Sequence, residues 1–141
     1  MLLENKTAII TGCNRGIGKA ILEVFSLQGA DIIACVRRES PQFTTYLNKI
    51  ASKSGRGISP YYFDFSNEEE VKSAVRDILS SKKRIDILVN NAGVASGALF
   101  QMTSMRDLKS VFEVNFFSQI LFSQGLSRSM AKFKSGSIIN I

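Results

Sequence analysis

Histidine and tryptophan do not occur in the 141 residues, and cysteine and proline occur twice each. The missing histidine excludes a Ser-His-Asp triad and most zinc sites. Cys13 and Cys35 form no C-x-x-C pair, so neither a metal site nor redox chemistry is expected, and a reduced, cytoplasmic setting is. No apolar run approaches the roughly 20 residues that cross a bilayer, and no basic stretch followed by an apolar one opens the chain, so neither a membrane partner nor a signal peptide is expected. The formal net charge is +6, which raises nucleic acid as a partner. The cations are scattered, however, apart from Lys82-Lys83-Arg84 at an expected helix end, where they favour the dipole. The charge therefore reads as a solvated surface, with no nucleic-acid partner. The length suits one core, so residues 1–141 are expected to form a single domain.

What is present is a glycine-rich turn, Thr11-Gly12-Cys13-Asn14-Arg15-Gly16-Ile17-Gly18. It follows the β-branched run Thr7 to Thr11 and opens an amphipathic stretch at Ile17. A strand turning through glycines into a helix aims bare backbone N–H groups and a positive dipole end at one point, which suits a phosphate or pyrophosphate. Alone, such a turn could equally be a tight loop without a ligand. The strand Asp31 to Val36 that follows completes a βαβ unit and favours a nucleotide. Gly18-Lys19-Ala20 lacks the hydroxyl of a Walker A motif, so a dinucleotide is preferred over a nucleoside triphosphate.

Strand and helix then alternate. Gly29 closes the first helix, and Ser40-Pro41 caps a second that stops near Gly55. Pro60 to Phe65 reads as an aromatic-rich strand, Ser66-Asn67-Glu68-Glu69 as a capping box for a helix to about Ser81, and Ile85 to Val89 as a strand. A long helix is expected from Ser104–Asp107 to Phe133, then a strand from Ser137 to Ile141. The pattern implies an α/β, doubly wound parallel sheet. A buried parallel strand normally leads on to another helix, so the chain is expected to be a fragment or a truncated product.

With these motifs assembled, the chain resembles the short-chain dehydrogenase/reductase family, and most of all its 3-oxoacyl-acyl-carrier-protein reductases. Thr11, Gly12, Gly16 and Gly18 match the family's T-G-x-x-x-G-x-G motif, and Asn90-Asn91-Ala92-Gly93 matches its N-N-A-G motif. The resemblance implies a Rossmann-type sheet of order 3-2-1-4-5, truncated here after the fifth strand. It also implies a nicotinamide cofactor held by Thr11, Gly12, Asn14, Arg15, Gly16, Ile17 and Gly18, by Asp64 and Phe65 at the adenine, and by Asn91, Ala92 and Gly93. Asn115 matches the asparagine that orders a proton-relay water in many members. Each has a plainer reading: Asp64 as a partner of loop amides, Asn90 and Asn91 as turn formers, Asn115 as a satisfied core polar residue.

Arg37 and Arg38 end the second strand, where an acid would favour NAD and an arginine accommodates the 2′-phosphate of NADP. With Arg15 in the turn, NADP(H) is the expected cofactor. The family's chemistry also needs Y-x-x-x-K, and Tyr46, Tyr61 and Tyr62 are followed four residues on by Ile50, Phe65 and Ser66. Only Asn115 of the catalytic set is therefore present. The resemblance implies a carbonyl substrate, a 3-oxoacyl thioester of fatty acid biosynthesis first, and a homo-oligomer formed through the apolar Ser104–Phe133 helix. A non-catalytic NADP-binding remnant stands beside that reading.

Overall fold

A computed structural model describes every residue of the chain except Lys82. The expected basic run at a helix end thus lies partly outside the described residues. Five strands form one parallel sheet: β1 (Thr7–Thr11), β2 (Asp31–Val36), β3 (Ile58–Tyr62), β4 (Ile87–Asn90) and β5 (Ser137–Asn140), in the order β3-β2-β1-β4-β5. The helices are α1 (Gly16–Leu27), α2 (Pro41–Ser54), α3 (Glu68–Ser80), α4 (Met105–Phe112) and α5 (Ser118–Lys132). Helices link the strands as crossovers, which parallel pairing requires, and a parallel sheet is normally covered on both faces.

Period-two alternation divides the core. Ile9, Ile33, Leu88, Phe122 and Leu126 pack on one face of the sheet, and Ile10, Leu22, Ile32, Leu47 and Val89 on the other. Strand order reverses between β1 and β4, and in open α/β sheets the crevice beyond such a reversal is where ligands bind.

Three expected elements shift. The third strand is Ile58–Tyr62 rather than Pro60 to Phe65. Pro60 sits within it because β3 is the sheet edge, where a missing N–H faces outward. Phe63 and Phe65 instead leave the strand to pack on Phe122, with centroids 5.4 and 5.5 Å from its ring. The cap of α3 is Asn67, whose side chain accepts from the Glu69 and Glu70 amides at 3.1 and 3.3 Å. Ser66 is not the cap, because its hydroxyl and amide are both taken by Asp64. The fourth strand is Ile87–Asn90, shifted two residues on from Ile85.

The long helix is interrupted. Ser104 caps it, accepting from the Asp107 amide at 3.1 Å. A π turn, Glu113–Phe117, then separates α4 from α5. Such turns widen a helix locally and often mark functional sites. Phe112, Phe116, Phe117 and Ile120 lie exposed along it. Among the described residues no helix is long and apolar enough to cross a membrane.

Candidate functional site

The switch point is built from three backbone segments pressed together. The Gly12 amide donates to Cys35 O at 2.8 Å, and Gly12 adopts φ +64°, a left-handed conformation that glycine tolerates. A Cβ there would lie 2.8 Å from Ala92 Cα. A Cβ on Gly18 would lie 2.5 Å from Gly12 O and would also strike the Asn91 side chain. The start of α1, the turn and the loop after β4 therefore touch only because these positions have no side chain.

Thr11 and Asn91 hold that contact. The Thr11 hydroxyl accepts from the Asn91 and Ala92 amides at 3.0 and 2.9 Å and donates to Val89 O at 3.4 Å. The Asn91 side-chain nitrogen donates to Thr11 O and Gly12 O, both at 3.0 Å. Asn91 is thus more than a turn former. Thr11 is completely buried, so its hydroxyl shapes the turn from behind. The Phe65 ring is likewise buried, among aromatic neighbours.

The outer rim is open. Asn14, Arg15, Gly16 and Ile17 are exposed. Arg15 occupies the N-cap of α1 without a side-chain cap bond, and no acid stands in the first turn. The first bonded amide is that of Lys19, which donates to Arg15 O at 3.2 Å, so the amides before it have no helical partner. Gly16 has φ +54° with nothing within 4 Å of its would-be Cβ. This cradle fits an anion such as a pyrophosphate. Beneath it, burial pushes the Cys13 thiol up to about 12 and pushes Cys35 up as well, so neither is a thiolate nucleophile at neutral pH.

At one end of the crevice Arg37 and Arg38 are exposed after β2. Asp64 Oδ1 accepts from the Ser66 amide and hydroxyl, both at 2.8 Å. Burial opposes ionisation of Asp64, but the Ser66 hydrogen bonds and the nearby Arg37 and Arg38 outweigh it and hold the carboxyl below its ordinary value. Asp64 therefore partners a loop amide and also stands by both arginines. At the other end, Asn115 in the π turn is exposed rather than in the core. Its Oδ1 accepts from the Val94 amide and its Nδ2 donates to Val94 O, both at 2.8 Å. Gly93 lies against it, a Cβ there falling 3.3 Å from Asn115 Oδ1. The described residues hold no group of three or more His, Cys, Asp or Glu side chains placed for a metal ion.

Two further polar residues join this end. Asn90 Nδ2 donates to Ser123 Oγ and to Asn140 Oδ1, both at 2.8 Å, tying β4 to α5 and β5. Gln119 Nε2 donates to Ala92 O at 3.1 Å and Val114 O at 3.2 Å. The spacing Asn115, Gln119, Ser123 puts polar residues at i, i+4 and i+8, which was the available signal.

A parallel sheet with a glycine turn and a bare helix N-terminus at its switch point is a dinucleotide-binding architecture. The model of the short chain dehydrogenase family matches residues 6–141, and the chain belongs to that family. The chain is 37% identical over 141 residues to the 3-oxoacyl-acyl-carrier-protein reductase FabG of Chlamydia trachomatis, covering 99% of this chain and 56% of that protein. It is 33% identical over 143 residues to the FabG of Vibrio cholerae, covering all of this chain and 56% of that one. Among solved structures it is similar to L-sorbose reductase from Gluconobacter frateurii complexed with NADPH and L-sorbose. That match has a TM-score of 0.90 at 29% identity and covers 98% of this chain and 52% of that one. A short chain dehydrogenase from Mycobacterium paratuberculosis bound to NAD has a TM-score of 0.85 at 26% identity, covering 99% of this chain and 56% of that one. The chain spans about half the length of the curated relatives it matches.

Proposed function

We propose that these residues are the NADP(H)-binding part of a cytoplasmic carbonyl reductase, with a 3-oxoacyl thioester as the favoured substrate class. The observation that carries the reading is the open cradle at Arg15–Gly16 after β1, with Arg37 and Arg38 exposed after the neighbouring strand β2. In this reading the amides of Gly16, Ile17 and Gly18 hold the pyrophosphate, with Arg15 and Asn14 at its rim. Arg37 and Arg38 hold the 2′-phosphate and Asp64 accepts from the adenine amino group. Ala92 and Gly93 lie along the nicotinamide half, kept in place by the clamp of Asn115 on Val94. The widened turn around Asn115 suits the ordering of a water for proton transfer. When bound, NADPH supplies the hydride. The exposed phenylalanines of the α4–α5 segment are the surface by which copies of the whole protein would associate.

A second reading is favoured by the missing Tyr-x-x-x-Lys: the 141 residues by themselves bind cofactor without reducing anything. Both are tested by mixing the chain with NADPH and a 3-oxoacyl thioester. The expected result is a change in nicotinamide fluorescence on binding and no oxidation above a protein-free control. Turnover by this chain would contradict the reading that residues without Tyr-x-x-x-Lys reduce nothing. No NADPH binding would remove the cofactor reading itself.

A further inference from the structure

We propose that Gln119 is a positioning residue for the nicotinamide end of the site, an inference that rests on the cofactor reading above. Gln119 is 6% exposed and lies on α5 just beyond the π turn. Its single amide nitrogen reaches two segments, Ala92 O at 3.1 Å in the loop after β4 and Val114 O at 3.2 Å inside the π turn. Asn115, the next residue of that turn, clamps Val94 of the same loop. Two bridges thus join the same pair of segments, one exposed and one buried.

The chemistry selects a primary amide. Both partners are carbonyl oxygens, which only accept, so one atom carrying two hydrogens is needed to meet both. The same fact fixes which way round the amide sits. Gln119 Oε1 is buried with no hydrogen-bond partner among the described residues. The group's two donor contacts, not its acceptor, therefore account for its place. A carboxylate of the same length would face the two carbonyls without a proton, and a thioether would offer neither donor. Without the bridge, the Ala92–Gly93 backbone loses its buried tie to the turn that carries Asn115. Arg37, Arg38 and Asp64 follow β2 and β3, across β1 from this seam, and are not joined to it by Gln119.

The discriminating experiment compares two ligands on the unaltered chain, on Q119M and on Q119E. NADPH occupies both ends of the site, and adenosine 2′,5′-bisphosphate only the adenine end. Each variant is expected to bind NADPH about tenfold more weakly, the equivalent of one well-made hydrogen-bond bridge, with affinity for the bisphosphate unchanged. Unchanged NADPH affinity, or equal losses for both ligands, overturns the proposal. If circular dichroism shows that Q119M does not fold, Q119E carries the same comparison. If neither folds, Gln119 is structural only and the proposal falls. Failure of the cofactor reading shows separately, as no NADPH binding by the unaltered chain, and takes this proposal with it.

Discussion

Replacing Arg37 and Arg38 together by alanine is expected to weaken NADPH binding on the order of 100-fold while leaving NADH binding within about twofold, each charge-assisted contact to a phosphate being worth about tenfold. The asymmetry follows from chemistry. The two cofactors differ only in the 2′-phosphate, and a guanidinium can meet that group with two parallel N–H donors. Both side chains are exposed, so their reach to a ligand is unobstructed, and salt will screen the effect. The NADPH preference should therefore shrink as ionic strength rises. Asp64 gives an internal check, because Arg37 and Arg38 help hold its carboxyl below the ordinary value. Its pKa, followed by carbon-detected NMR, should rise in the double variant. Equal losses for NADPH and NADH would show that the arginines support the fold rather than read the phosphate.

The second large effect separates two glycines of one turn. Gly18→Ala puts a Cβ 2.5 Å from Gly12 O and against the Asn91 side chain. The first is backbone and cannot swing aside. Overpacking of this kind costs about 2–3 kcal/mol, a fall in thermal midpoint on the order of 8 °C for a chain of this size. NADPH binding should be lost along with the displaced turn. Gly16→Ala meets nothing within 4 Å and carries only the strain of φ +54°, a cost of about 1–2 kcal/mol. Its methyl group would instead stand in the open cradle. The expected outcome is a fall in midpoint about half that of Gly18→Ala, with a large loss of NADPH affinity. The reverse pattern, with Gly18→Ala binding normally, would refute the packing assigned to Gly18.

Most of the fold was legible because burial and periodicity agree. The runs Thr7–Thr11 and Asp31–Val36 are β-branched and buried on both sides, and they became β1 and β2 with those bounds. The glycine turn was legible as a motif, but its division of labour was not. Thr11 and Gly18 are buried, whereas Arg15, Gly16 and Ile17 are exposed. Sequence spacing carries no sign that tells one group from the other. Local signals misled where polar residues compete for the same amides. Ser66 reads as a cap, yet Asp64 takes both its hydroxyl and its amide and leaves the cap to Asn67. The π turn was invisible for a related reason. Val111 to Phe117 keeps enough apolar residues for an unbroken helix, and the widening is held by the long-range bonds of Asn115 and Gln119 to the loop after β4.

A crevice that binds a nicotinamide dinucleotide and reads its 2′-phosphate should discriminate between the two cofactor forms. Side-by-side equilibrium titration of the unaltered 141-residue chain with NADPH and NADH tests it most directly. Both should bind saturably, with NADPH tighter by about 100-fold at low salt, matching the loss expected from the arginine pair. Equal affinities, tighter NADH, or no saturable binding of either would contradict it.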